Sequence, residues 1–231
     1  MCPFSTTQDR PASVPQQHFN AFIGSSEFPC VGARSALNRD RLRYVHLERL
    51  GSVAAARRLC DELAAFSAEF PDPGSQPVSF VATFEAEIEG GEEEFERLLW
   101  RQLQLVHQID REHAAWDPRV SADPSHREFS MSVGGRAFFV VGMFPKASRM
   151  ARRSPMPCLV FNFHDQFETL KASGKYAGMQ KVIRARDTAL QGSINPVLAR
   201  FGESSEARQY SGRAVPADWV CPFSAEAAND A

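Results

Sequence analysis

The chain has 231 residues, 43% hydrophobic and 23% charged, enough for one substantial core and too few for two large independent domains. Its net charge of −2 and pI near 6.3 argue against a general electrostatic grip on nucleic acid. No apolar run approaches the roughly 20 residues that a membrane helix needs, so neither nucleic acid nor membrane is expected as a partner.

Residues 1–17 are polar and proline-bearing, and the pattern predicts a flexible N-terminal arm ahead of one domain over 18–231. The opening residues carry neither a positive n-region nor an apolar h-region. The five cysteines are scattered, with no C-x-x-C pair. Together these predict a reduced, cytoplasmic protein. Residues 19–32, with the run FIGSSEFPCVGA, read as a compact loop with apolar anchors. From 41 to 70, Leu42, Val45, Leu50, Val53, Leu59, Leu63 and Phe66 recur near three- and four-residue spacing and predict one long helix. Pro71, Pro73 and Gly74 end it.

Residues 78–88 alternate and are rich in β-branched and aromatic side chains, which predicts a strand. Gly90 and Gly91 then lead into Glu92–Glu94, an acidic first turn that suits the positive end of a helix dipole. That helix is expected to reach about Trp116. Its apolar stripe is Phe95, Leu98, Leu99, Leu105, Val106 and Ile109, and an adjoining stripe is Trp100, Leu103, His107 and Asp110. Gly134-Gly135 between two apolar runs predicts a hairpin over 129–143, and 159–163 a fourth strand. Helices are expected over 165–172 and 177–201, the second broken at Gly192 or Pro196. The tail from Gly202 reads as irregular, anchored by 219–223. The order predicts an α+β domain with a mainly antiparallel sheet of about four strands packed against several helices.

The region from Gly134 to Arg213 concentrates the chemistry. Apolar strands there stop at Arg149, Arg152, Arg153, Asn162, His164 and Asp165, and strand ends that carry convergent ionisable groups commonly form ligand pockets. His164 follows the strand directly, where an imidazole can enter a pocket and Asp165 can orient it; packing beside a helix cap is the alternative. His107, one turn before Asp110, is either a metal ligand or a satisfied core histidine. Arg149, Arg152, Arg153 and Arg213 suit carboxylates or propionates. Asp165, Glu168 and Asp187 suit a cationic substrate. Cys30 and Cys221, each beside proline and phenylalanine, are either soft metal ligands or inert buried thiols. G-x-G-x-x-G, Walker, G-x-S-x-G and C-x-x-C-H signatures are absent, so any haem would be held non-covalently.

The segments FPCVGARSALNRD, FERLLWRQLQLVHQID, GRAFFVVGMFPKASRMARR, LVFNFHDQFETLK, IRARDTALQGSINPVLARFG, SEARQYSGR and WVCPF resemble the YqcI/YcgG family over residues 28–223. The likeness is strongest to the branch of the haem-dependent N-hydroxylase of guanitoxin biosynthesis. It implies an iron-containing haem b monooxygenase, an oxidoreductase that uses dioxygen and an electron donor protein or reductant to N-hydroxylate a small guanidine- or amine-bearing substrate. The family pattern G-L-H-P corresponds to Gly142-Met143-Phe144-Pro145, so Phe144 stands in place of a family histidine. The resemblance then points to His164 as the metal ligand, with His107 and Cys30 as alternatives. A non-haem iron site of His107, Asp110 and His164 and a non-catalytic haem or ligand carrier are the competing expectations.

Overall fold

A computed structural model describes residues 12–85, 87–193 and 204–226. Ser13 accepts a hydrogen bond from the Gln16 backbone, and Pro15 sits in the first turn of helix α1 (Val14–Gly24). The helix therefore covers part of the expected arm and part of the expected 19–32 loop, while residues 1–11 lie outside the described set. Helix α2 (Val31–Asn38) follows, capped by the Cys30 side chain.

The long helix expected over 41–70 is two elements. Strand β1 (Leu42–Leu47) is followed by a turn through Gly51 at φ 81°, and Ser52 then caps helix α3 (Val53–Glu69). In LRYVHL, Leu42 and Val45 fit a helical repeat, but Leu42 and Tyr44 belong to one face of a sheet and Val45 and Leu47 to the other. Strand β2 (Ser79–Phe84) is buried along its whole length. Helix α4 (Glu92–Asp110) stops six residues short of Trp116, and β3 (Met131–Val133) and β4 (Arg136–Met143) form the expected hairpin. Both turn glycines there adopt positive φ, as a tight two-residue connection requires. Strand β5 (Cys158–Phe163) runs directly into α5 (His164–Ala172). Gly174 and Gly192, both left-handed, bound α6 (Lys175–Gln191), so the expected break falls at Gly192. Residues 194–203, which include Pro196 and Gly202, lie outside the described set. A short helix α7 (Ala207–Tyr210) interrupts the expected irregular tail.

The α+β expectation holds, with a mixed sheet of five strands in the order β1-β2-β5-β4-β3. β1 and β2 are parallel, joined by the α3 crossover, and the other pairings are antiparallel. Alternation along the strands sends Phe80, Ala82, Phe138, Val140, Leu159, Phe161 and Phe163 toward α3, α4 and α7. Phe66 stacks on Phe163 at 4.7 Å between centroids, one of several aromatic pairs in this core. The opposite face carries Leu42, Val81, Val141, Met143 and Val160, and α1, α2, α5 and α6 cover it.

Candidate functional site

A pocket of about 270 Å³ lies between that second sheet face and its covering helices. Phe19 and Ile23 of α1, Phe28, Leu42, Val81, Val141, Met143 and Val160 give it a largely apolar wall. Phe167 and Leu170 of α5 and Met179 and Ile183 of α6 close the other side. Four of the ionisable candidates line it: Cys30, Arg149, Arg152 and Asp187.

Each is placed by its local structure. Cys30 precedes α2, and its Sγ accepts the Ala33 N–H at 3.4 Å. Burial pushes the thiol pKa up, while the Ala33 and Gly32 amides and Arg152 pull it back. Arg149 is buried and donates from Nη2 to Asp187 Oδ2 at 2.5 Å and to the Ser193 carbonyl at 2.7 Å. This ion pair ties the strap after β4 to α6. The Met150 amide adds a bond to Gln191 Oε1 at 2.6 Å. Arg152, enclosed by protein but partly open to the pocket, donates to the carbonyls of Gly142 at 2.8 Å, Gln209 at 3.2 Å and Tyr210 at 3.4 Å. Burial drives its pKa down to about 10, and among the described residues no carboxylate forms an ion pair with it. An arginine held only by neutral carbonyls beside an apolar pocket carries a charge that an anionic group in that pocket would offset.

His164 lies elsewhere. As the first residue of α5 it shares a helix face with Asp165, Glu168 and Lys171, whereas Gln166, Phe167 and Leu170 face the apolar pocket. The His164 face lines a polar cleft of about 660 Å³ with Arg119, Arg127, Glu128, Phe129 and Glu206. Burial lowers the His164 pKa, Glu168 opposes that shift, and His164 Nε2 stands 4.0 Å from Glu168 Oε1. Asp165 accepts from Arg136 at 2.8 Å. Helix α5 thus separates two groups of residues that the linear sequence runs together.

The remaining candidates are embedded in other contacts. His107 is buried on the α3/α4 side, with Nε2 2.9 Å from the Ala225 carbonyl and its ring edge-on to Trp116 and Phe223. Asp110 accepts from the Gly134 amide at 2.8 Å and secures the hairpin turn. No group of three histidine, cysteine or acidic side chains able to hold a metal ion occurs among the described residues, so His107, Asp110 and His164 do not form the expected non-haem site. Arg153 is exposed and donates to the Ala147 carbonyl at 2.6 Å. Arg213 grips buried Glu96 through Nε at 3.0 Å and Nη2 at 2.8 Å, locking the tail onto α4 with Ser211 and Trp219. Cys221 is half-buried, with its pKa pushed up to about 12 by burial, and does not line the pocket.

The profile of the YqcI/YcgG family matches residues 19–224. The chain belongs to the YqcI/YcgG family. No curated protein and no solved structure matches it significantly. In this YqcI/YcgG protein, Phe144 is fully buried and stacks on Phe95 of α4 at 4.7 Å between centroids. Position 144 therefore belongs to the core on the far side of the sheet, while its neighbour Met143 lines the pocket.

Proposed function

We propose that this protein is a haem-dependent oxygenase that N-hydroxylates a small guanidine- or amine-bearing substrate. In this reading the apolar pocket holds haem b, and Cys30, rather than His164 or His107, faces the iron. One observation carries the choice: the apolar pocket contains a cysteine sulfur and two arginines, whereas His164 occupies a polar cleft across α5.

The lining chemistry fits the group. Thiolate is one of the established protein ligands of haem iron, and amide hydrogen bonds to the sulfur tune such a ligand. The Ala33 amide supplies that contact here. Arg152 offsets the charge of a thiolate, and Arg149 with Arg152 suits propionates. The pocket volume of about 270 Å³ lies below the usual range of ligand sites, ~300–1,000 Å³, so seating the group would require a wall to move outward.

Bound haem supplies activation of dioxygen at the expense of an external reductant. The protein's own residues supply the rest. Phenylalanines of α1, α5 and the α1–α2 connection exclude water. Asp187 uses Oδ2 for Arg149, which leaves Oδ1 for a cationic substrate group. Aerobic incubation of haemin-loaded protein with reductant and a panel of guanidines and primary amines tests the activity. The expected product has gained one oxygen atom on nitrogen, and its absence across the panel would refute hydroxylation.

A second reading, a non-catalytic haem or ligand carrier, draws on the saturation of the polar lining. Asn162 bonds Ser79 and the Phe139 carbonyl, and Gln166 bonds the Val78 amide and carbonyl, so neither side chain is reserved for a substrate. Haem uptake without oxygen consumption would select it.

A further inference from the structure

We infer that the outer face of α6, with its flanking basic residues, is a docking surface for a small acidic electron-transfer protein that delivers electrons to the pocket. The inference rests on the redox reading of that pocket. Helix α6 has two functional faces. Met179, Ile183 and Asp187 point into the pocket, whereas Gly178, Val182, Ala185 and Ala189 form an exposed, small and largely apolar stripe. A Cβ placed on Gly178 would meet no atom within 4 Å, so the surface there is open. Lys175 and Lys181 are exposed beside the stripe, half-buried Arg184 lies on the flank beyond Lys181, and half-buried Arg34 adds charge from α2, which packs on α6.

Few carboxylates neutralise this face. Asp187 is buried and bound to Arg149, Glu168 of α5 pairs with Lys171, Glu27 is exposed in the α1–α2 connection, and Asp40 is exposed next to Arg39 and offsets it. The other side of the molecule has the opposite balance. Helix α4 begins with Glu92, Glu93 and Glu94, and its Arg97 is already paired with Glu94. A protein of net charge −2 therefore presents a basic face directly over its apolar pocket. Charge polarised in this way steers an oppositely charged partner and sets its orientation. A small apolar centre with a charged rim also suits the limited interfaces of transient redox encounters. A partner seated there is separated from the pocket by one helix, about 10–12 Å across.

The test uses a plant-type [2Fe–2S] ferredoxin as the acidic probe and a Lys175→Glu, Lys181→Glu, Arg184→Glu triple variant, none of whose altered residues lines the pocket. Calorimetric titration of oxidised ferredoxin into haem-free protein reads the surface alone. Binding to the wild type that weakens with salt, and is at least ~10-fold weaker for the triple variant, is expected. No binding, or equal binding by the two proteins, would overturn the inference. Stopped-flow reduction of haemin-loaded protein then reads delivery. The variant should accept electrons from ferredoxin at least ~10-fold more slowly, with unchanged haemin uptake and unchanged reduction by dithionite. Equal ferredoxin rates would overturn the docking site. Failure of the wild type to take up haemin would instead overturn the redox reading, leaving the calorimetric result to judge the surface. Duplex DNA that binds the wild type more tightly than ferredoxin does, and is lost in the variant, would reassign the face to nucleic acid.

Discussion

Glu206 should make this fold lose stability as pH rises through neutrality. Its carboxyl is buried, with Oε1 accepting from Ser130 Oγ at 2.6 Å and from the Tyr210 hydroxyl at 2.9 Å. Burial raises its pKa from 4.5 to about 8, although both hydrogen bonds favour the charged form. Because the folded protein holds this proton more tightly than the unfolded chain, the folded state binds more protons between those two values. Stability is therefore full below pH 4.5 and declines until about pH 8. A tenfold difference in proton affinity between the two states is worth about 1.36 kcal/mol, so the loss is on the order of 5 kcal/mol, or roughly 10–20 °C in Tm for a chain of this size. Glu206→Gln keeps an acceptor and removes the titration. Thermal unfolding of both proteins from pH 5 to pH 9 should show similar Tm at pH 5 and a widening advantage for the variant above it. Parallel pH profiles would refute the reasoning.

Three further outcomes follow from the packing. A Cβ at Gly142 would stand 2.5 Å from Leu99 Cδ1 and 2.9 Å from the Tyr210 carbonyl, so Gly142→Ala should cost about 1–3 kcal/mol in denaturant unfolding. Phe144→His should cost about 2–4 kcal/mol by burying an imidazole in the Phe95 stack, and should leave haemin spectra unchanged because position 144 faces away from the pocket. Arg149→Met should destabilise by about 3–5 kcal/mol, since Asp187 is left buried without its partner, and adding Asp187→Leu should recover most of that loss.

The hairpin, β5 and the acidic start of α4 are carried by short-range patterns and stand where the sequence places them, and α6 stops at Gly192, one of the two break positions that the sequence offers. The misread elements have competing local signals. LRYVHL satisfies a helical and a strand period together, and only its parallel pairing with β2 decides between them. Ser13 and Pro15 are a helix start that the polar composition of the arm obscures. Ser52 is a comparable cap hidden inside an apparently continuous apolar repeat. Cys30, Arg149, Arg152 and Asp187 are individually recognisable as chemical groups, but their meeting is not. The pocket draws on α1, α2, β1, β2, β4, β5, α5 and α6, and such contacts leave no periodic trace. The separation of His164 from this group turns on α5 beginning at residue 164, which turns that side chain away from Gln166 and Leu170 on the pocket side of the helix.

The most direct test of the site is a haemin titration followed by the Soret band in wild type, Cys30→Ser and His164→Ala proteins. Serine preserves an acceptor for the Ala33 amide while removing the soft ligand, so α2 keeps its cap. Wild type and His164→Ala should bind haemin alike and give the red-shifted ferrous carbonyl band of thiolate ligation, which Cys30→Ser should lack. Loss of the band in His164→Ala with an unchanged spectrum in Cys30→Ser would contradict the assignment of Cys30 to the iron.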